Sequence, residues 1–157
     1  MKIALLQTGK TSERYLTEGI EIFEERIKKY SSFEIITVPD IKRARSIPEQ
    51  EQKLREGAQM LRFFRNDDYI VILDDKGKEL STMEFSMWLE KSFMLQRKRI
   101  LFVIGGPWGI SGEVMNRADI KLSLSRLTFS HQMVRLFFLE QLYSAFTIMK
   151  GEPYHHE

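Results

Sequence analysis

Residues 99–109 read Arg-Ile-Leu-Phe-Val-Ile-Gly-Gly-Pro-Trp-Gly. The first six are a strand, and it stops abruptly in Gly105, Gly106, Pro107, Trp108 and Gly109. Upstream, Tyr69, Ile70, Val71, Ile72 and Leu73 form a continuous apolar run, the pattern of a strand covered on both faces. Working outward, residues 2–8 and 33–38 are further strands, the second stopped by Pro39, and residues 120–124 are the last. Helical patterns lie between them. Residues 12–30 place Leu16, Ile20, Phe23, Ile27 and Tyr30 at the three- and four-residue spacing of one face. Pro48 sits where a helix starts well, and Leu54, Ala58 and Leu61 make its stripe. Ser81 with Glu84 is a capping box that opens a third helix through about residue 95. Residues 111–118 and 132–149 are two more helices, 40–47 is a basic loop, and 74–80, with Gly77, is a polar loop. Strands alternating with helices predict an α/β fold with a mainly parallel sheet. Ligands of such sheets bind beyond the carboxyl ends of the strands. Three strand ends therefore matter: Leu73, Gly105 and Leu124.

The chain has 157 residues, 43% hydrophobic and 29% charged, which fits one domain spanning 1–157 with a real core. No apolar run reaches the ~18 residues a membrane span needs. The opening MKIALLQTGK has too short an apolar stretch for a signal peptide and reads as the first strand. With no cysteine, the chain has no disulfide, thiol nucleophile or thiolate metal site, which suits the cytoplasm. The net charge of +2 is only weakly basic. A nucleic-acid partner would have to be met by local clusters or by shape.

Four constellations stand out, each with a plainer reading. The glycine turn after Ile104 lets a backbone approach a ligand closely; it is also what a tight strand-to-helix turn looks like. It matches neither the P-loop nor the dinucleotide fingerprint. Residues 125–131, Ser-Arg-Leu-Thr-Phe-Ser-His, offer hydroxyls and backbone groups just past a strand end, or are an ordinary loop. The last helix is apolar around most of its circumference, so one face meets the sheet and another a second subunit, unless it is the central helix of a monomer. The tail Pro153-Tyr154-His155-His156-Glu157 carries groups that donate, accept and titrate, although such tails usually fray. Basic clusters at Lys42, Arg43 and Arg45, and at Arg97, Lys98 and Arg99, are otherwise solvated surface. Asp74 and Asp75 shape a strand end; nothing beside them has metal-ligand spacing.

Taken together, the strand ending at Leu73, the segment VIGGPWG, the stretch LSLSRLTFSHQMVRLFFLEQLYSAF and the terminal GEPYH resemble a known family. The chain is similar to the small SPOUT-class methyltransferases of the ribosomal RNA large subunit methyltransferase H type, which act on N3 of pseudouridine in 23S ribosomal RNA. The resemblance covers the whole chain. It implies a deep C-terminal trefoil knot, a feature that general rules of chain topology would have excluded. It implies a homodimer, S-adenosylmethionine as cofactor, no metal, and the assembled ribosome as substrate. It places Leu73, Gly105, Leu124, Ser125, Arg126, Leu127, Thr128 and Phe129 around the cofactor. Three positions depart from the family pattern: Trp108 for a small or polar residue, Ser130 for proline, and His156 for arginine.

The implied chemistry is methyl transfer from a sulfonium to a ring nitrogen. Its demands are alignment, exclusion of water and removal of one proton. We expect His131, Tyr154 and His155 around the target base, with the tail supplied by the opposite subunit. His131 or His155 accepts or relays the proton, and Tyr154 stacks on or hydrogen-bonds the base. Lys42, Arg43 and Arg45 are the expected phosphate contacts. Rival readings are a SPOUT enzyme for transfer RNA or another ribosomal position, a flavodoxin-like domain that holds a nucleotide or partner without chemistry, and a purely structural dimer.

Overall fold

The computed structural model describes residues 1–42 and 44–153. Its elements are β1 (Lys2–Thr8), α1 (Arg14–Lys28), β2 (Phe33–Val38), a short 3₁₀ turn (Ala44–Ser46), α2 (Glu49–Leu61), β3 (Asp68–Glu79), α3 (Thr82–Ser92), β4 (Arg99–Val103), α4 (Gly112–Met115), β5 (Ile120–Ser123) and α5 (Met133–Met149). The five strands form one sheet in the order β2-β1-β4-β3-β5, and every pair is parallel.

Each face of the sheet has its own core. On one, Ile3, Leu5, Val71, Ile100 and Phe102 meet α1, α3 and α5 through Leu16, Ile20, Leu89, Phe138 and Leu142. On the other, Ala4, Leu6, Ile70, Ile72, Leu101 and Val103 meet α2 and α4 through Met60 and Val114. Coverage on both faces is why the central strands read as unbroken apolar runs. A buried ion pair fixes the opposite end of the sheet from the glycine turn. Arg99 donates Nε to Asp68 Oδ1 (2.8 Å) and Nη2 to Asp68 Oδ2 (2.7 Å) and to the Phe63 carbonyl (2.8 Å). The capping box of α3 forms as expected, with Glu84 N–H donating to Ser81 Oγ (3.1 Å) and Ser81 N–H to Glu84 Oε1 (2.9 Å).

Two expectations need correction. Residues 74–80 are not a polar loop: β3 continues to Glu79. It leaves β5 after Leu73↔Leu122 and rejoins at Lys78↔Leu122 and Glu79↔Ser123. Its polar composition belongs to an irregular extension on the sheet's edge pair, where the side chains stay hydrated. Of the stripe Leu54, Ala58, Leu61, only Leu61 packs against the core; Leu54 and Ala58 are exposed. Gln52, Glu56, Gly57 and Met60 are the buried face of α2, and Leu54 is 48% exposed. Helix α5 packs against the sheet between α1 and α3. Phe137 is its exposed large apolar residue, at 40%.

Candidate active site at the carboxyl ends of the strands

The three strand ends singled out in the sequence converge on one cavity of about 400 Å³. Leu73, Asp74 and Asp75 form one wall, and Ile104, Gly105, Gly106, Pro107, Gly109 and Ile110 form a second. Residues 124, 125 and 127–131 close it, with Met115 of α4 and Val134 of α5. The glycine turn is a tight turn, and it lines the cavity. Gly109 N–H donates to the Gly106 carbonyl (3.1 Å), with Pro107 at the second position and Gly109, at φ +87°, closing the turn. A Cβ on Gly105 would lie 2.7 Å from Ile110 Cγ1 and 3.1 Å from the Gly109 carbonyl carbon, so this wall tolerates only hydrogen.

Residues 124–131 are tied from both sides. Ser123 Oγ donates to the Ser125 carbonyl (2.9 Å), and Leu127 N–H donates to Ser125 Oγ (3.0 Å). Ser130 Oγ accepts the N–H of Met133 (3.0 Å), which ties the end of the loop to the first residue of α5. Of the predicted cofactor residues, Leu73, Gly105, Leu124, Ser125, Leu127, Thr128 and Phe129 all line the cavity. Arg126 is outside the lining; it is exposed, with Nε 3.5 Å from Glu79 Oε1.

His131 lines the rim and is half-buried. Burial chiefly, and then the charge of Arg135, push its pKa below the ordinary imidazole value, against a smaller opposing pull from Asp40. Arg135, one turn on, is fully buried. It donates Nη2 to the Thr8 carbonyl (2.6 Å), and Nη1 to the Gly9 carbonyl and to Thr11 Oγ1 (both 3.0 Å). Gln132 adds Nε2 to the Lys10 carbonyl (3.2 Å) and accepts from Ser12 N–H (3.0 Å). The start of α5, and with it His131, is thus fastened to the carboxyl end of β1.

Behind the glycine turn stands α2. Glu56 is 6% exposed, and its Oε2 has no hydrogen-bond partner. It lies so close to Gly106 that a Cβ there would be 2.8 Å away. Burial, then the nearby Asp40 charge, raises its pKa above the usual carboxylate value. Trp108 Nε1 donates to Gln52 Oε1 (2.8 Å), which holds the indole on α2 and leaves it out of the cavity lining.

Lys42 and Arg45 are exposed, on the segment that leads into α2. Tyr154, His155 and Arg43 lie outside the described residues, so their expected roles have no structural description. Among the described residues, no group of three or more His, Asp or Glu is arranged to hold a metal, and no helix is long and apolar enough to cross a membrane. Sequence reasoning missed the apolar walls Ile104, Ile110, Met115 and Val134, and the buried Arg135 and Glu56. Ile104 and Ile110 flank the flagged turn, and Val134 follows the flagged loop by one turn of helix, whereas Met115 lies apart on α4. Arg135 and Glu56 carry no local signal, because a charge on a helix reads as a solvated face.

A family model described as a predicted SPOUT methyltransferase matches residues 1–155. The ribosomal RNA large subunit methyltransferase H of Christiangramia forsetii is 49% identical over 156 residues, 99% of each chain. Its counterpart from Parabacteroides distasonis is 48% identical over the full length of both. Among solved structures, a probable methylase family protein from Haemophilus influenzae superposes with a TM-score of 0.51 at 16% identity, covering 99% of this chain and 70% of that one. A methyltransferase from Legionella pneumophila in complex with the cofactor SAM gives 0.50 at 14%, covering 92% and 66%. At such identities these two speak to the fold. The sheet order, the cavity and these matches define a SPOUT methyltransferase. Within that class, the chain belongs to the family of ribosomal RNA large subunit methyltransferase H. It is therefore an S-adenosylmethionine-dependent enzyme, and the readings without chemistry fall away.

Proposed function

We propose that the chain, as one domain spanning 1–157 and acting as a homodimer in the cytoplasm, methylates N3 of a pseudouridine in 23S ribosomal RNA on the assembled ribosome. The observation that supports this most is the cavity at the ends of β3, β4 and β5 with His131 on its rim, in a chain whose full-length relatives are named for large-subunit ribosomal RNA.

The residues present suit S-adenosylmethionine. A cavity of about 400 Å³ is of the size that holds a small cofactor. Leu73, Ile104, Ile110 and Leu127 give it apolar walls for a flat base, and Asp74 and Asp75 bring negative charge to a ligand that is cationic. In this reading Leu73, Gly105, Leu124, Ser125, Leu127, Thr128 and Phe129 hold the cofactor, while Arg126, exposed and paired with Glu79, contributes its main chain. When bound, the cofactor supplies the activated methyl group and the leaving group.

Everything else falls to the protein. Holding donor and acceptor in line is the larger contribution, on the order of 7–11 kcal/mol in well-oriented systems. N3 of the target ring must also lose its proton. His131 is suited to take it, because burial keeps its imidazole neutral at pH 7, and a positioned base is worth roughly 10²–10⁴-fold. Tyr154 and His155 complete the site from the opposite subunit, and His155 is the alternative base. Lys42, Arg43 and Arg45 take phosphates. An apolar patch supports the dimer: Phe137 is exposed and stacks on Phe129 of the cavity wall at 4.4 Å, with Leu127 exposed nearby. Family membership further implies that residues 124–131 are part of a trefoil knot.

The test is methyl incorporation from labelled S-adenosylmethionine into assembled ribosomes, free subunits and transfer RNA from cells lacking the protein. Label on assembled ribosomes supports the proposal. Label confined to transfer RNA, or to free subunits, would replace the substrate.

A further inference from the structure

Helix α2 carries a feature that the cavity does not use. Gln52, Arg55, Gln59 and Arg62 fall at three- and four-residue spacings, so they share one side of the helix. Arg55, Gln59 and Arg62 line a groove whose other bank is Pro39, Asp40, Ile41 and Lys42. Three cations and one carboxylate line it. Arg55 also pairs with Glu51 at 2.7 Å, both side chains about half exposed, and a surface pair of that kind yields readily to a stronger anion. Toward the amino end of the same stripe, Gln52 pins the indole of Trp108 through Nε1 at 2.8 Å. That indole is 39% exposed and stands on the turn whose neighbours Pro107 and Gly109 line the cavity.

We propose that this stripe is the track for the RNA strand next to the target nucleotide. Lys42, Arg55 and Arg62 meet its phosphates, and Trp108 stacks on an unpaired base that flanks the one being methylated. The occupant follows from the chemistry. A groove with excess positive charge takes an anionic chain, and a fixed, half-exposed indole at its end takes the flat face of a base. A bonded Nε1 leaves Trp108 few ways to turn, so little freedom is lost on stacking. The inference rests on the ribosomal RNA reading above and gives a residue that departs from the family pattern a role in substrate binding.

The experiment measures kcat and KM on assembled ribosomes lacking the modification, and S-adenosylmethionine affinity by calorimetry, for Trp108→Ala, Trp108→Phe and Arg55→Gln/Arg62→Gln. Trp108→Ala should raise KM about 5- to 150-fold, the range for loss of one stacked base, and leave cofactor affinity unchanged. Trp108→Phe keeps a ring but loses the bond to Gln52, and should recover to within about 3-fold of the original KM. The double arginine variant should lower the slope of log KM against log salt by about 0.7–0.9 for each lost phosphate contact. If Trp108→Phe is as poor as Trp108→Ala and both weaken the cofactor, the indole merely braces the glycine turn and the inference is overturned. Unchanged KM in every variant overturns it as well, with the ribosomal substrate intact. An original protein that fails to methylate ribosomes overturns both readings.

Discussion

Replacing Gly77 by alanine probes the joint between the sheet and the site. Gly77 sits where β3 leaves β5 and returns to it. A Cβ there would lie 2.7 Å from the Lys121 carbonyl carbon and 2.8 Å from both N and C of Leu122. All three are backbone atoms of a paired strand, which cannot swing aside as a side-chain tip does. Relief to ordinary contact at 3.4 Å means opening the strands locally by roughly 0.7 Å. Forcing a methyl group into packed structure costs about 1–3 kcal/mol. Against this, alanine narrows the unfolded ensemble by about 0.4–1 kcal/mol. The net destabilisation is then about 1–2 kcal/mol, which lowers Tm by about 2–8 °C in a domain of this size. The displacement also reaches the cavity, because the pair Glu79↔Ser123 lies immediately before Leu124. S-adenosylmethionine affinity should fall by up to about tenfold, the equivalent of 1.4 kcal/mol. Scanning calorimetry and titration calorimetry read the two effects. Gly112→Ala is the control, since a Cβ there meets nothing within 4 Å; it should be neutral or stabilising. A Gly77→Ala protein with unchanged Tm and unchanged affinity would refute the reasoning.

Further outcomes follow from the same structure. The lowered pKa of His131 should hold turnover level down to pH values below the ordinary imidazole range, and His131→Gln should remove the acid limb and cost roughly 10²–10⁴-fold in kcat. An acid limb that survives in the variant would assign the proton to another group. The same shift has a stability sign: a folded-state pKa below the unfolded value of 6.5 means stability is present above that value and is lost as pH falls toward the lowered one. His131→Gln should therefore flatten acid unfolding curves over that interval. Arg135→Met leaves the Thr8 and Gly9 carbonyls without their buried donor, and should cost about 2–6 kcal/mol by denaturant titration, about 1–3 kcal/mol for each orphaned carbonyl, with cofactor affinity falling as α5 loosens from β1. Asp68→Asn breaks the buried pair with Arg99 at the far end of the sheet; it should cost a similar 3–5 kcal/mol in stability yet leave kcat unchanged under conditions where the protein stays folded.

Strand order and cavity position were legible to different degrees. Residues 69–73 and 99–104 announced buried parallel strands, because a strand covered on both faces has no polar side to show. The rule that such sheets bind ligands beyond their carboxyl ends points to the place where the cavity lies. What failed was local polarity used as a guide to position. Residues 74–79 are charged and looked like a loop, but an irregular edge extension keeps its side chains in water while its backbone still pairs. On α2 Leu54 and Ala58 lost to Gln52, Glu56 and Gly57, because the helix packs against a glycine turn and a serine, where small and polar groups fit. A Cβ on Gly57 would collide with Ser111 Oγ, so close approach, rather than hydrophobicity, sets the face. Arg135 was invisible for a third reason: its partners Thr8, Gly9 and Thr11 are more than 120 residues away in sequence. Part of the apolar circumference of α5 is met by α1 and α3, which flank the helix on the sheet.

The most direct test is nucleoside analysis of 23S ribosomal RNA from cells lacking this protein, before and after incubation of their ribosomes with the purified chain and S-adenosylmethionine. The account predicts that one pseudouridine gains a methyl group at N3, and that none does with His131→Gln and the Tyr154 and His155 alanine changes combined. A methyl group at another ring position, on a uridine, or in another RNA would contradict it.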